Sequence, residues 1–226
     1  MKKHSKRFNQ TEKIVDKTKT YELKEAVSIL KNAPKVKFDE TVELNIHLNL
    51  DLQKSDQVIR GTVVLPNGIG KKIKVAVFCK GEHEKQAKDA GADIVGGEDL
   101  IDKVSKGFLD FDCAISTPEM MRDLSKLGRV LGPRGLMPSP KSGTVTDKIA
   151  DAIKEVKAGK IEFKADKQAG IHVGIGKISF SEVQIIDNAK TLLDAVSAIK
   201  PPSVKGAFFR SVSLATSMGP GVKIAL

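Results

Sequence analysis

Residues 38–51 read FDETVELNIHLNLD. From Val42 onward the even positions Val42, Leu44, Ile46, Leu48 and Leu50 are apolar, while Glu43, Asn45, His47, Asn49 and Asp51 are polar. Ten residues of period two describe a β-strand with one face in a core and the other in water. Such a strand cannot bury its apolar face alone, so it demands neighbouring strands and a covering layer. Residues 22–31, ELKEAVSILK, supply part of that layer: Leu23, Ala26, Val27 and Leu30 fall on one helical face, with Thr20 placed to cap the helix. A second strand is expected over 58–65, VIRGTVVL, after the polar connection QKSDQ, and PNGIG closes the section.

From Lys72 the pattern changes. IKVAVFC, ADIVGG and FDCAIST are short apolar runs, separated by the helical stretches EHEKQAKDAG, EDLIDKVSK and PEMMRDLSKLG. Buried strands alternating with helices of about ten residues predict a small parallel sheet covered on both faces, a Rossmann-like α/β core. A Gly- and Pro-rich stretch, GRVLGPRGLMPSPKSGTV, then precedes a last helix, DKIADAIKEVKAG. After residue 160 the first texture returns: IEFKAD and GIHVGIGKISF as strands, a long helix ended by Pro201-Pro202, then AFFRSVSLAT and GVKIAL as strands. Ser179 and Glu182 have the spacing of a capping box for that helix. Neither flank holds enough elements to close a core. The predicted fold is therefore α/β overall: residues 1–66 and 159–226 form one discontinuous α+β domain, with 67–158 inserted as the Rossmann-like domain. The two crossings, near 66–70 and 157–160, are rich in hinge-tolerant Gly or Pro.

The charge follows the same division. The chain carries 38 Lys and Arg against 28 Asp and Glu, a formal +10. Residues 67–158 account for 16 basic and 14 acidic side chains, which leaves 22 and 14 in the flanks. The excess lies in the two ends, and polyanions are the expected partners. Enzymatic readings fail on their fingerprints. No strand is followed by GxGxxG, GLMPSPKS lacks the glycine of a phosphate-binding loop, and GxSxG is absent. His4, His47, His83 and His172 are far apart, no CxxC or HExxH spacing occurs, and two cysteines cannot complete a structural zinc site. No catalytic residue, metal or cofactor is expected. Cys79 and Cys113 sit in apolar runs as small hydrophobes, which fits a reducing compartment. The basic start MKKHSKRFNQ leads into no apolar run, and no stretch reaches membrane-spanning length, so a cytoplasmic protein without membrane contact is expected.

Three stretches are candidates for the polyanion contact. In TSMGP, residues 216–220, Thr216 and Ser217 offer hydroxyls, Met218 a pliable apolar arm and Gly219 a close backbone approach. By themselves these residues also fit an ordinary tight turn between strands. In KFDET, residues 37–41, the parity of Phe38 matches the core residues and fits an aromatic plug. Glu40 at the same parity instead argues that regular alternation starts at Thr41, leaving Phe38 outside beside Lys37. In the Pro-rich loop, Arg129, Arg134 and Lys141 project from a backbone stiffened by Pro133, Pro138 and Pro140, which suits phosphate contact or a purely structural loop. A DNA-binding regulator is the alternative partner class, but no helix-turn-helix is visible.

LGRVLGPRGLMPSPKSGTV, together with KFDETVE, SDQVIRGTVVLPNGIGKK, AGADIVGGEDL and TSMGP, resembles the bacterial L-one (universal uL-one) family of large-subunit ribosomal proteins, end to end. Ser217 stands where that family usually has a second threonine, and Ser139 where it often has asparagine. The resemblance implies that the discontinuous domain binds ribosomal RNA at the base of a mobile stalk, as a monomer within the large subunit. It also implies that the stalk meets deacylated tRNA leaving the exit site, and that the protein represses its own operon by binding the leader mRNA. The RNA-binding residues it implies are Lys37, Phe38, Glu40, Thr41, His172, Lys177, Thr216, Ser217, Met218 and Gly219, with Glu40 accepting from RNA hydroxyls or amines. Arg129, Arg134 and Lys141 are a second candidate contact.

Overall fold

The computed structural model describes residues 6–16, 18–34, 36–50, 59–204 and 206–225. The connection expected at 53–57, the end of the first strand at Asp51 and the start of the second at Val58 lie outside these residues. The chain divides into two compact units, residues 1–70 with 161–226, and residues 71–160.

In the first unit, β1 (Thr41–Leu48) is flanked by β7 (Gly170–Lys177) and β8 (Phe209–Thr216), and β9 (Val222–Ile224) extends the edge in the order β7-β1-β8-β9. The pairings are antiparallel. Along β1 each even residue is buried and each odd residue half-exposed, so the alternation in the sequence maps directly onto the two faces. Helices α2 (Leu23–Asn32) and α8 (Glu182–Ala198) cover the apolar face. Ala26, Val27 and Leu30 of the first, and Ile185, Ala189, Leu192 and Val196 of the second, join Leu44, Ile46, Ile171 and Leu214 in one core. A second, two-stranded sheet of β2 (Arg60–Val64) with β6 (Lys160–Lys164) completes this unit, with Phe163 buried in its core and Val63 packed against it.

Two helix starts differ from expectation. The residue capping α2 is Glu22, with no side-chain hydrogen bond, so Thr20 plays no capping part. The capping box of α8 is Ser181 with Gln184, not Ser179 with Glu182. Ser179 has another partner: its hydroxyl donates to Asp39 Oδ2 at 2.7 Å and its backbone N–H to Asp39 Oδ1 at 3.2 Å. A cap signal two residues too early was thus a tertiary contact.

The second unit is built on three parallel strands, β3 (Val75–Phe78), β4 (Ile94–Gly96) and β5 (Cys113–Ser116), in the order β4-β3-β5. All of β3 is buried. Ala76 and Phe78 meet Leu100 and Val104 of α4 (Glu98–Ser105). Val75, Val77 and Cys79 meet Ala87 of α3 (Glu82–Asp89) and Ile149, Ile153 and Val156 of α7 (Ile149–Ala158). Burial pushes the Cys79 thiol up to about 11, so it packs as a hydrophobe rather than reacting. The helix expected over 118–128 is instead α5 (Met121–Leu124), a 3-10 turn at Ser125–Leu127, and α6 (Gly128–Leu131). The Ser125 hydroxyl donates back to the Met121 carbonyl at 2.8 Å, a contact that bends helices, and Gly128 weakens the next turn.

Candidate nucleic-acid interface

The strand β8 ends at Thr216, and residues 217–221 turn the chain into β9. Ser217 is stitched to the start of β1: its N–H donates to the Thr41 carbonyl at 3.1 Å, and its Oγ accepts from the Thr41 N–H at 3.2 Å. Met218 follows, with its N–H on Glu40 Oε1 at 2.9 Å and its carbonyl accepting from Arg7 Nη2 at 2.9 Å. Its side chain is 55% exposed. The turn closes when Gly219 N–H donates to the Thr216 carbonyl at 3.1 Å. A Cβ at position 219 would come within 2.2 Å of Thr216 Oγ1, so any larger residue would have to displace the Thr216 hydroxyl.

The segment before β1 runs beside this turn. Phe38 is 56% exposed, not a core plug. Regular alternation begins at Thr41, because Glu40 turns inward to 6% exposure to take the Met218 amide. Asp39 is fixed by Ser179. Lys177, paired with Thr41 in the β1–β7 register, donates from Nζ to Thr41 Oγ1 at 2.8 Å and reaches the Asp39 carbonyl at 3.4 Å. Phe38, Thr41, Lys177, Ser217, Met218 and the exposed Lys37 therefore gather at one end of the sheet.

Two candidates are turned inward. The Glu40 carboxylate, expected to accept from RNA, has an internal partner instead, because an otherwise unsatisfied amide in the turn needs an acceptor. Thr216 is 6% exposed, beneath Gly219. Both hold the turn from behind.

His172 lies elsewhere on the same face. It pairs across the sheet with Asn45, five residues along β7 from Lys177, roughly 17 Å at strand rise. Its Nδ1 is 2.7 Å from Asn45 Oδ1, and its Nε2 is 3.6 Å from Asp166 Oδ2. Backbone N–H groups of Gly170 and then Gln168, with His172 adding less, hold the Asp166 carboxyl below its usual range. With His47, Ser211 and Ser213 these residues line a shallow cleft of about 290 Å³. Across this face the small residues Gly170, Gly174, Ala215, Ser213 and Ser211 stand opposite the polar side chains of β1.

In the second unit Arg129, Arg134 and Lys141 are exposed, and among the described residues they enter no ion pair. Their loop is held from inside. Leu136 and Met137 pack on the core, Ser139 Oγ accepts from the Lys141 N–H at 3.3 Å, and the Ser142 hydroxyl donates to the Ser139 carbonyl at 3.0 Å.

Sequence reasoning missed Arg7. It stands in the basic run MKKHSKRFNQ, and its partner is 211 residues away, so no local spacing could reveal the pair.

A discontinuous α+β unit with one polar sheet face and an inserted parallel α/β unit define a two-unit α/β protein. Residues 29–220 match the ribosomal protein L1p/L10e family, and the chain belongs to that family of structural, non-enzymatic ribosomal components. It is similar to the large ribosomal subunit protein uL1 of Thermosipho melanesiensis, 52% identical over 225 residues that cover 99% of this chain and 97% of the relative. The uL1 of Aster yellows witches'-broom phytoplasma is 53% identical over 222 residues, covering 98% and 96%. That of Protochlamydia amoebophila is 51% identical over 226 residues, covering 100% and 96%.

Proposed function

We propose that the discontinuous unit is an RNA-binding domain whose Met218 turn, with Lys37, Phe38, Thr41, Lys177 and Ser217, binds ribosomal RNA of the large-subunit stalk region. The protein works as a monomer in the cytoplasmic ribosome. The observation that carries this reading is the stitching of Ser217 and Met218 to Thr41 and Glu40, which sets two exposed apolar side chains, Phe38 and Met218, beside cations on one footprint. RNA offers riboses, phosphates and a shallow minor groove, which a flat face with short hydroxyls and pliable apolar tips can meet closely. The same surface serves a leader mRNA of the protein's own operon that folds like the ribosomal site. The loop bearing Arg129, Arg134 and Lys141 is a second phosphate contact, and the stalk carrying it meets deacylated tRNA leaving the exit site.

Gel-shift competition between a transcript of the stalk region and duplex DNA of matched length tests the partner class, with the RNA expected to win. Affinity should fall with salt by a log-log slope of about −0.7 to −0.9 per phosphate engaged. Phe38→Ala and Met218→Ala should each weaken RNA binding about 10- to 100-fold. Because both side chains are more than half exposed, melting temperature should stay within about 2 °C. A large stability loss would instead make them core residues of a structural turn. With no Trp and one Tyr, co-purifying RNA would dominate the ultraviolet spectrum.

A further inference from the structure

Both polar groups of Met218 are taken by side chains of opposite charge. The carboxylate of Glu40 accepts from its N–H, and the guanidinium of Arg7 donates to its carbonyl, each at 2.9 Å. The neighbouring amides of Ser217 and Gly219 are satisfied by the backbone carbonyls of Thr41 and Thr216. Among these partners Arg7 alone comes from a helix, α1 (Lys6–Ile14); Glu40 and Thr41 belong to the start of β1 and its lead-in, and Thr216 to β8. That helix is docked on the first unit: Val15, just beyond its end, is 5% exposed in the core cluster, and Thr11 is 8% exposed with its hydroxyl donating to the Arg7 carbonyl at 2.9 Å. The arginine is thus delivered from a held backbone.

A methionine side chain has three rotatable bonds, so a contact made by it is expensive to order if its backbone also moves. Fixing the carbonyl on one side and the amide on the other leaves only the thioether arm free. We propose that Arg7 is a positioning residue for the Met218 turn: it acts by holding the carbonyl, not by pairing with a phosphate. The inference rests on the reading of that turn as RNA-binding. Its geometric basis is the Nη2 N–H donated to the Met218 carbonyl at 2.9 Å, and whether the remaining guanidinium donors also meet a phosphate is what the salt slope reads.

The test uses the full chain and a transcript of the large-subunit stalk region, with Arg7→Ala, Arg7→Gln and Met218→Ala. Arg7→Ala should weaken binding by about tenfold, mainly through faster dissociation. The salt slope should be unchanged, the melting temperature within about 2 °C, and the Met218 methyl resonance of the free protein shifted or broadened. Arg7→Gln keeps an N–H donor without the charge and should recover part of the loss. A salt slope shallower by about 0.7 to 0.9 with an unmoved methyl resonance would make Arg7 a phosphate contact and overturn the proposal. Wild-type affinity in Arg7→Ala, alongside weak binding by Met218→Ala, would overturn it while leaving the turn's role intact. Wild-type affinity in both variants would remove the reading of the turn itself, and this proposal with it.

Discussion

The two units solve the problem of burying a sheet in opposite ways. In the first, helices α2 and α8 cover one face of four antiparallel strands, and the other face, with Glu43, Asn45, His47 and His172, stays open. In the second, helices pack on both sides of three parallel strands, and β3 has no residue exposed. A one-sided sheet leaves a broad flat surface whose side chains can change without touching the core. A two-sided sheet leaves only loops and strand ends. The difference teaches where each unit can meet a macromolecule: the first across a face and its rim, the second through a loop such as 132–143.

The comparison breaks if the units are not independent in stability, and a deep cut in the second tests that most severely. Phe78 is fully buried and meets Phe111 edge to face at a centroid distance of 6.3 Å. Phe78→Ala should cost about 3–5 kcal/mol. Stepwise urea unfolding should show the loss in the transition of residues 71–160, with stalk-RNA affinity changed less than threefold. Loss of RNA binding would mean that the insert is part of the first unit's fold.

The reciprocal cut is smaller. Asn188 of α8 is fully buried, with Oδ1 accepting from Asn67 N–H at 3.1 Å and Nδ2 donating to the carbonyls of Ile175 at 2.7 Å and Gly68 at 3.0 Å. It fastens the turn after β2 to the helix and to β7. Asn188→Ala leaves these backbone groups unpaired and should cost about 2–3 kcal/mol. Hydrogen exchange should quicken at residues 67–70 and along the first unit, with the second unit unmoved. Equal acceleration in both units would sink the idea of separate cooperative blocks.

Much of this architecture was legible, and the reason differs by region. Period two from Val42 to Leu48 reported a half-wet strand because each side chain's fate is set locally by the pleat. The insert was legible from apolar runs for the same reason. Glu40 was the informative misfit: a carboxylate at core parity placed the start of the strand at Thr41 and left Phe38 outside. What the sequence hid is nonlocal. Asp39 diverts Ser179 from capping, Arg7 reaches Met218 from near the other end of the chain, and Asn188 joins segments 120 residues apart. Side-chain to backbone bonds of this kind have no spacing rule, so hydroxyl, amide and guanidinium groups gave no sign of which partner they would choose.

The smallest effect separates the units by acid. In the second unit the Val75 backbone N–H, helped by Lys157, holds the Asp93 carboxyl below its usual range. The Lys71 ammonium, followed by the Lys74 backbone N–H, does the same for Asp112. Asp93 ties the leading end of β4 to β3, and Asp112 that of β5 to the residue before β3. A carboxyl with a folded pKa below its unfolded value adds stability above that unfolded value, and loses it as pH falls below about 4 through the folded pKa. Both groups are partly exposed and screened, so the two contribute about 1 kcal/mol or less. The urea midpoint of the second unit should therefore fall between pH 6 and pH 3. Asp112→Asn should flatten that fall, because the amide cannot ionise yet can still accept from Lys74 N–H. An unchanged pH dependence in Asp112→Asn would show that the acid response comes from groups other than Asp112.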